Sequence, residues 1–375
     1  MLGYVLILSV AVFGNMIIDT INSSKQYKKL FMCVVWGMLI LFAVLRGYEV
    51  GIDYANRVRS FSYIFQLPFS ELIEFTKTES NGQYFYTLFV WSVGQVIPSV
   101  WLVNSIMDVF ILSVFGWFIY RYSNNVAFSS MMFAAFALTS MVNITRQYVA
   151  AAIFLIALHY FIQDKMMKAF LLIILASLMH SSAIVLMVFF VLKLIGFSFN
   201  KAKMWLYLAG SLAMFILFDL IVDIFLAIFP QYSYVLGDWA MGDSGFSIIW
   251  LGIYSMIFFG AYLTLTKKQT GLLRLLHLKN NEAEHKIGII IIGFIFYAVI
   301  SLLRSKMWLV SRMITYFIYG FCMIVSEIID RLKFDRSIRY IISVVMCILF
   351  AGWGVILFMQ DAHGLLPYTF IWDSI

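Results

Sequence analysis

The stretch 339–359, RYIISVVMCILFAGWGVILFM, decides the class of fold. After Arg339 it carries no charged side chain as far as Met359. Wound as an α-helix at about 1.5 Å per residue, it reaches about 30 Å, the thickness of the hydrocarbon core of a bilayer. It lacks the polar–apolar alternation of a barrel strand, so its backbone groups are satisfied within a helix. Runs of the same kind recur along the chain. They predict twelve spans, at about 2–18, 30–45, 101–120, 126–142, 146–162, 167–180, 183–197, 204–229, 247–266, 287–303, 307–329 and 339–359. The composition agrees: 63% of the 375 residues are hydrophobic and 12% are charged, a surface that water could not solvate. The expectation is an all-α polytopic membrane bundle forming a single integral membrane domain over residues 1–375. The first run has neither a basic leader nor a small-residue cleavage site, and reads as a retained helix.

Segment 46–100 is the exception. Its first half is too polar to span. Its second half, Tyr84 to Pro98, is apolar but short, which predicts a re-entrant or interfacial helix. Loop charge supports this arrangement. With Lys25–Lys29 in the cytoplasm, twelve spans put eighteen of the 26 basic residues on the cytoplasmic side, thirteen of them lysine. Of the eight on the outer side, six are arginine: Arg46, Arg57, Arg59, Arg146, Arg304 and Arg312. Both termini then lie outside. The net charge of +7 therefore reports topology and not a nucleic-acid partner. Arginine presents a rigid fork of donors suited to phosphate and carboxylate. An outer face poor in cations but rich in arginine points to an anionic ligand, although arginines that snorkel to lipid headgroups would give the same count. Two further loops stand out: an outer one at 230–246 and a cytoplasmic amphipathic one at 267–286, where leucines interleave with Arg274 and Lys279. Cys33, Cys322 and Cys347 sit inside apolar runs and read as buried small hydrophobes.

Four polar constellations fall on the outer side. The densest is Arg46-Gly47-Tyr48-Glu49-Val50-Gly51-Ile52-Asp53-Tyr54. An arginine and a carboxylate at one membrane mouth can hold a diphosphate and accept a hydroxyl proton; an Arg46–Asp53 salt bridge at a helix end is the equally simple alternative. The second is Asn143-Ile144-Thr145-Arg146-Gln147, a tight turn whose Arg146 and Gln147 open a helix. The third is His180-Ser181-Ser182, where histidine serves as a base, as an anion donor or in a structural role. The fourth is Arg304-Ser305-Lys306 with Arg312, which falls several residues into an apolar run, where an arginine is costly. Asp108, Asp219 and Asp223 lie within spans and need cationic partners; the last two share a helix face.

These same residues resemble the EpsG family of exopolysaccharide polymerases, a branch of the Wzy-like polymerases. The likeness is carried by Arg46…Gly51-x-Asp53-Tyr54 with Phe61, Arg146-Gln147 followed by Ala150-Ala151-Ala152, Ala176-x-x-x-His180-Ser181, Arg312-x-x-x-Tyr316, and Pro367-Tyr368. Ile52 and Arg57 depart from the family pattern, which has threonine and tyrosine there. The resemblance implies a fold related to the GT-C membrane glycosyltransferases in a bacterial inner membrane. The active site would face the periplasm or cell exterior. It implies donor and acceptor glycans linked to polyprenyl diphosphate, with membrane lipids and a chain-length regulator as further partners. On this reading Asp53, His180, Arg146 and Arg312 are catalytic, and Arg46, Gln147, Arg304, Tyr316 and Tyr54 bind substrate. No cofactor or metal is called for: there is no Asp-x-Asp pair, no phosphate-cradling glycine loop and no metal-ligand cluster. A ligase that passes the finished glycan to another acceptor would share the arginines. It would carry a larger late outer loop. A flippase for lipid-linked oligosaccharides would need related halves and a cavity reachable from both faces.

Overall fold

The computed structural model describes residues 1–20, 25–79, 83–194, 209–210, 213, 216–228, 248–264 and 282–374. The expected loop 230–246 lies outside these residues, as do most of loop 267–286 and the first part of span 204–229. The described residues are mostly helical, form no strand, and contain one isolated antiparallel bridge, between Arg46 and Phe370. It divides into two compact units, Met1–Phe189 with Lys333–Ile375, and Phe190–Leu332.

In the first unit the helices are α1 (Leu2–Thr20), α2 (Lys25–Val44), α3 (Ile52–Gln66), α4 (Phe69–Thr78), α5 (Tyr84–Val96), α6 (Val100–Tyr122), α7 (Val126–Phe136), α8 (Leu138–Asn143), α9 (Thr145–Ile162) and α10 (Met166–Met179). A 3₁₀ turn, Ser181–Met187, leads into α11 (Val188–Leu194). The second unit holds α12 (Phe218–Ile228), α13 (Ile248–Thr264), α14 (Glu282–Leu303), a 3₁₀ turn (Trp308–Met313) and α15 (Ile314–Arg331). The chain returns to the first unit through α16 (Arg336–Met359).

Among the described residues, α2, α6, α9 and α16 are long and apolar enough to cross a membrane, and six shorter apolar helices accompany them. Their packing sorts them. In α6 and α9, 61% and 72% of the apolar window is buried inside the protein, against 28% and 22% for α2 and α16. Thus α6 and α9 form the protein-lined centre. The apolar side chains that α16 leaves open, Ile341, Val345, Ile348 and Leu349 among them, suit a lipid surface. Cys33, read from sequence as buried, is also exposed on α2; Cys322 and Cys347 are buried.

Three expected spans are interrupted. The run 126–142 breaks at Ala137 into α7 and α8. The run 183–197 opens as a 3₁₀ turn, and so does 307–329, whose α-helix starts only at Ile314. The short Tyr84–Val96 helix packs on α3, α4, α6 and α10.

Polar side chains fix the bundle where apolar contacts alone would let helices slide. Asn125, at the N-cap of α7, accepts from the Phe128 amide at 3.0 Å and donates to Asn15 of α1 at 2.8 Å. Asn15 donates in turn to Ser343 of α16 at 3.2 Å. Trp36 of α2 donates to Ser130 of α7 at 3.0 Å. In the second unit, α14 and α15 approach through glycine: a Cβ on Gly320 would lie 2.2 Å from the Phe294 nitrogen and 2.3 Å from the Gly293 carbonyl carbon. Such small-residue contacts let membrane helices approach backbone to backbone.

Gly320→Ala should therefore overpack this contact and cost about 1–3 kcal/mol. Gly37→Ala, where a Cβ meets nothing within 4 Å, should be neutral. Thermal unfolding of the two variants in one detergent compares them directly.

Candidate active site

The polar residues that follow α2 fold back as α3. Its buried positions, Tyr54, Arg57, Phe61 and Ile64, follow helical spacing and face the bundle. Gly51 makes the turn possible, with φ of 104°, a conformation L side chains rarely adopt. Its amide donates to the Gly364 carbonyl at 2.8 Å, and the Ile52 amide to the His363 carbonyl at 3.0 Å. The Gly47 amide donates to the Thr369 carbonyl at 2.9 Å. The segment after α16 thus lies along the 46–52 turn.

Below this turn sits a buried charged cluster. Arg46 pairs with Asp108 of α6 at 2.5 Å and also donates to the Ala43 carbonyl. The guanidinium carbons of Arg46 and Arg57 lie 4.9 and 5.2 Å from the centre of the Tyr54 ring. One phenol ring thus serves two cations, an arrangement worth about 0.5–2 kcal/mol per contact when desolvated. The Nε and Nη2 atoms of Arg46 are buried with no hydrogen-bond partner, which leaves the ring face as compensation for those donors. Burial pushes the Tyr54 phenol up to about 12, against the opposing pull of Arg46 and Arg57. Burial, followed by the neighbouring Arg46, lowers Arg57 to about 10, so it stays charged at neutral pH.

Arg57 spreads its donors over three acceptors. Nη1 bonds the Thr145 hydroxyl at 2.5 Å, Nη2 the Val142 carbonyl at 2.9 Å, and Nε the Asp53 carbonyl at 3.3 Å. The Asp53 amide donates to the Asn143 side chain at 2.8 Å. The Asp53 carboxylate is half-buried and makes no ion pair among the described residues. Arg146, the second residue of α9, is exposed. Its guanidinium lies 5.1 Å from the Tyr86 ring centre and bonds Gln83 at 3.3 Å. Burial raises the Tyr86 phenol, Arg146 and Arg57 oppose this, and Asp53 adds to it, so all three charges act on one side chain of α5. His180 ends α10 in an extended, half-buried conformation. Because α9 and α10 form an antiparallel hairpin, His180 lies at the same end as Arg146.

Several site residues sit differently from the sequence expectation. Arg46 pairs with Asp108, not Asp53, and both are about 1% exposed, so its guanidinium is sealed from the surface. Tyr54 is 1% exposed because it points along the buried stripe of α3, and Gln147 is 3% exposed within α9. In the second unit, Arg312 lies in the 3₁₀ turn ahead of α15 and is exposed, as is Arg304, while Tyr316 is buried. Lys306 pairs with Asp219 at 2.5 Å, and Asp223 is exposed. Two participants were missed. Arg57 was counted only as a loop cation, yet its spacing of four from Asp53 and three from Tyr54 marks it as a helix-face neighbour. Tyr86 had no signal beyond the apolar run containing it. Among the described residues no group of three His, Cys, Asp or Glu side chains gathers to hold a metal.

A model of the EpsG family matches residues 29–370, nearly the whole length. The chain belongs to the EpsG family. Membership makes it an exopolysaccharide polymerase-type membrane protein, broadly glycosyltransferase-like, that works on lipid-linked glycans. No curated protein and no solved structure matches this EpsG-family chain. The family match ends at residue 370 and so includes the segment that folds over the 46–52 turn.

Removing one partner of the buried pair should be costly. Asp108→Leu leaves Arg46 charged and unmatched, and should lose about 3–5 kcal/mol. The double variant Arg46→Met with Asp108→Leu should recover most of that loss, as read by thermal unfolding of the purified protein in detergent.

Proposed function

We propose that the chain joins oligosaccharide repeats carried on polyprenyl diphosphate, at the outer face of a bacterial inner membrane. The fold we favour for it is GT-C-like, with twelve spans. The growing glycan is the donor through its reducing-end sugar. A new lipid-linked repeat offers a hydroxyl as acceptor. The hydroxyl oxygen forms a bond to the anomeric carbon as the bond to the diphosphate oxygen breaks. The hydroxyl proton passes to a base, and the electron pair leaves with the diphosphate. A single displacement of this kind inverts the anomeric centre.

The observation that carries the reading is an Asp53 carboxylate that makes no ion pair among the described residues and an exposed Arg146, both acting on the Tyr86 phenol of α5. A carboxylate is ionised at neutral pH without tuning and can take the acceptor proton; His180, at the same end as Arg146, is the other base. Arg146 supplies charge-assisted hydrogen bonds to the departing diphosphate, where negative charge grows. Arg312 and Arg304, in the second unit, are exposed cations of a kind suited to an anion. Arg46, Tyr54, Gln147 and Tyr316, all buried, serve by holding the elements that carry these groups. A chain-length regulator is a further partner on this reading.

In a strain lacking the protein, surface glycan should collapse to single capped repeats. Complementation with Arg146→Ala should lower long-chain output about 10²–10³-fold, the usual effect of losing a transition-state donor. Asp53→Asn should lower it about 10²–10⁴-fold. Both proteins should reach the membrane at wild-type levels by immunoblot. Long chains of normal abundance with both variants would remove the assignment.

A further inference from the structure

We infer that Arg57 is a positioning residue, a clamp that sets Arg146 against Asp53. This rests on the polymerase reading above and adds a residue to the same site. Asp53 belongs to α3 and Arg146 to α9, and what links their immediate surroundings is chiefly one guanidinium. From α3, Nε holds the carbonyl of residue 53 at 3.3 Å. Nη1 and Nη2 reach Thr145 at 2.5 Å and Val142 at 2.9 Å, on either side of the turn that delivers Arg146. Asn143 ties the same two segments from the opposite direction, accepting from the Asp53 amide at 2.8 Å.

A merely structural arginine accounts poorly for this arrangement. Arg57 is 7% exposed and shares the Tyr54 ring with a second cation, Arg46. Burying like charges together is unfavourable, and an apolar side chain would fill the position without that cost. What an apolar side chain cannot do is bridge three acceptors on three helices, α3, α8 and α9. Lysine could not do so either, because its ammonium lacks the planar fork. Two groups that act on one reacting centre lose about 10²-fold in rate from a misplacement near 1 Å. A clamp between the base and the diphosphate donor therefore belongs to the chemistry without touching the substrate.

The test uses the full chain, purified and reconstituted in nanodiscs with a lipid-linked repeat as both donor and acceptor. Turnover is counted per folded molecule, with folded protein measured by size-exclusion chromatography. Arg57→Gln should lower kcat about 10–100-fold while KM moves less than about 3-fold. Arg57→Lys should restore thermal stability but only part of kcat. Thr145→Val keeps the shape of the side chain and removes one acceptor, and should give a smaller fall in kcat. If Arg57→Gln does not fold, Arg57→Lys and Thr145→Val decide the matter. Wild-type kcat in both, or a raised KM with kcat unchanged, overturns the clamp. Should Arg146→Ala abolish turnover while those two variants keep full kcat, only the clamp falls. Should Arg146→Ala also keep full kcat, the polymerase site falls and the clamp goes with it.

Discussion

Two guanidinium groups buried against one tyrosine ring constrain everything at this end of the first unit. Arg46 and Arg57 are taken from water with a single directly paired carboxylate, Asp108. Buried charge has to be compensated by geometry. Arg46 reaches back to α2 and across to α6. Arg57 reaches its own helix and the α8–α9 turn. The two guanidinium carbons lie 4.9 and 5.2 Å from the Tyr54 ring centre. Helices α2, α3 and α6 and the α8–α9 turn are thereby tied to one cluster, and the segment after α16 closes over the turn above it.

This arrangement separates two kinds of polar residue. Those pointing inward, Arg46, Tyr54, Arg57, Asp108 and Thr145, contact one another in a buried cluster, although two donors of Arg46 and one oxygen of Asp108 are left without a hydrogen bond. Those on the flank, Asp53 and Arg146, are held by their backbones and close neighbours while their charged ends stay accessible. A transferase that must neutralise a departing diphosphate benefits from this division, because preorganised groups need not rearrange as charge develops. The second unit repeats the theme in simpler form, with close glycine packing of α14 on α15 and exposed arginines near the 3₁₀ turn.

Much of the site was readable from local pattern. Arg146 and Gln147 at the start of an apolar run announced polar groups at a helix N-terminus, whereas the helix that follows Gly51 was not announced. Asp108, a carboxylate within an apolar span, announced a cationic partner. Its identity was not readable, because the pairing joins residues 62 positions apart. Arg57 was legible only in hindsight, through the stripe Tyr54–Arg57–Phe61–Ile64. The run 307–329 shows another limit of local pattern: it reads as one helix, whereas it opens with a 3₁₀ turn holding Arg312 and its α-helix begins at Ile314.

Taken alone, the order of residues determined the class of protein, a helical membrane bundle. Apolar length, helical period and charge asymmetry are local properties, and a bilayer leaves the backbone few alternatives. It also determined which residue types were available at one face. Only tertiary structure decided which charges face each other and which face outward. Burial depends on what packs above a side chain, and for Arg46 and Tyr54 that cover comes from α6 and from a segment more than 300 residues away.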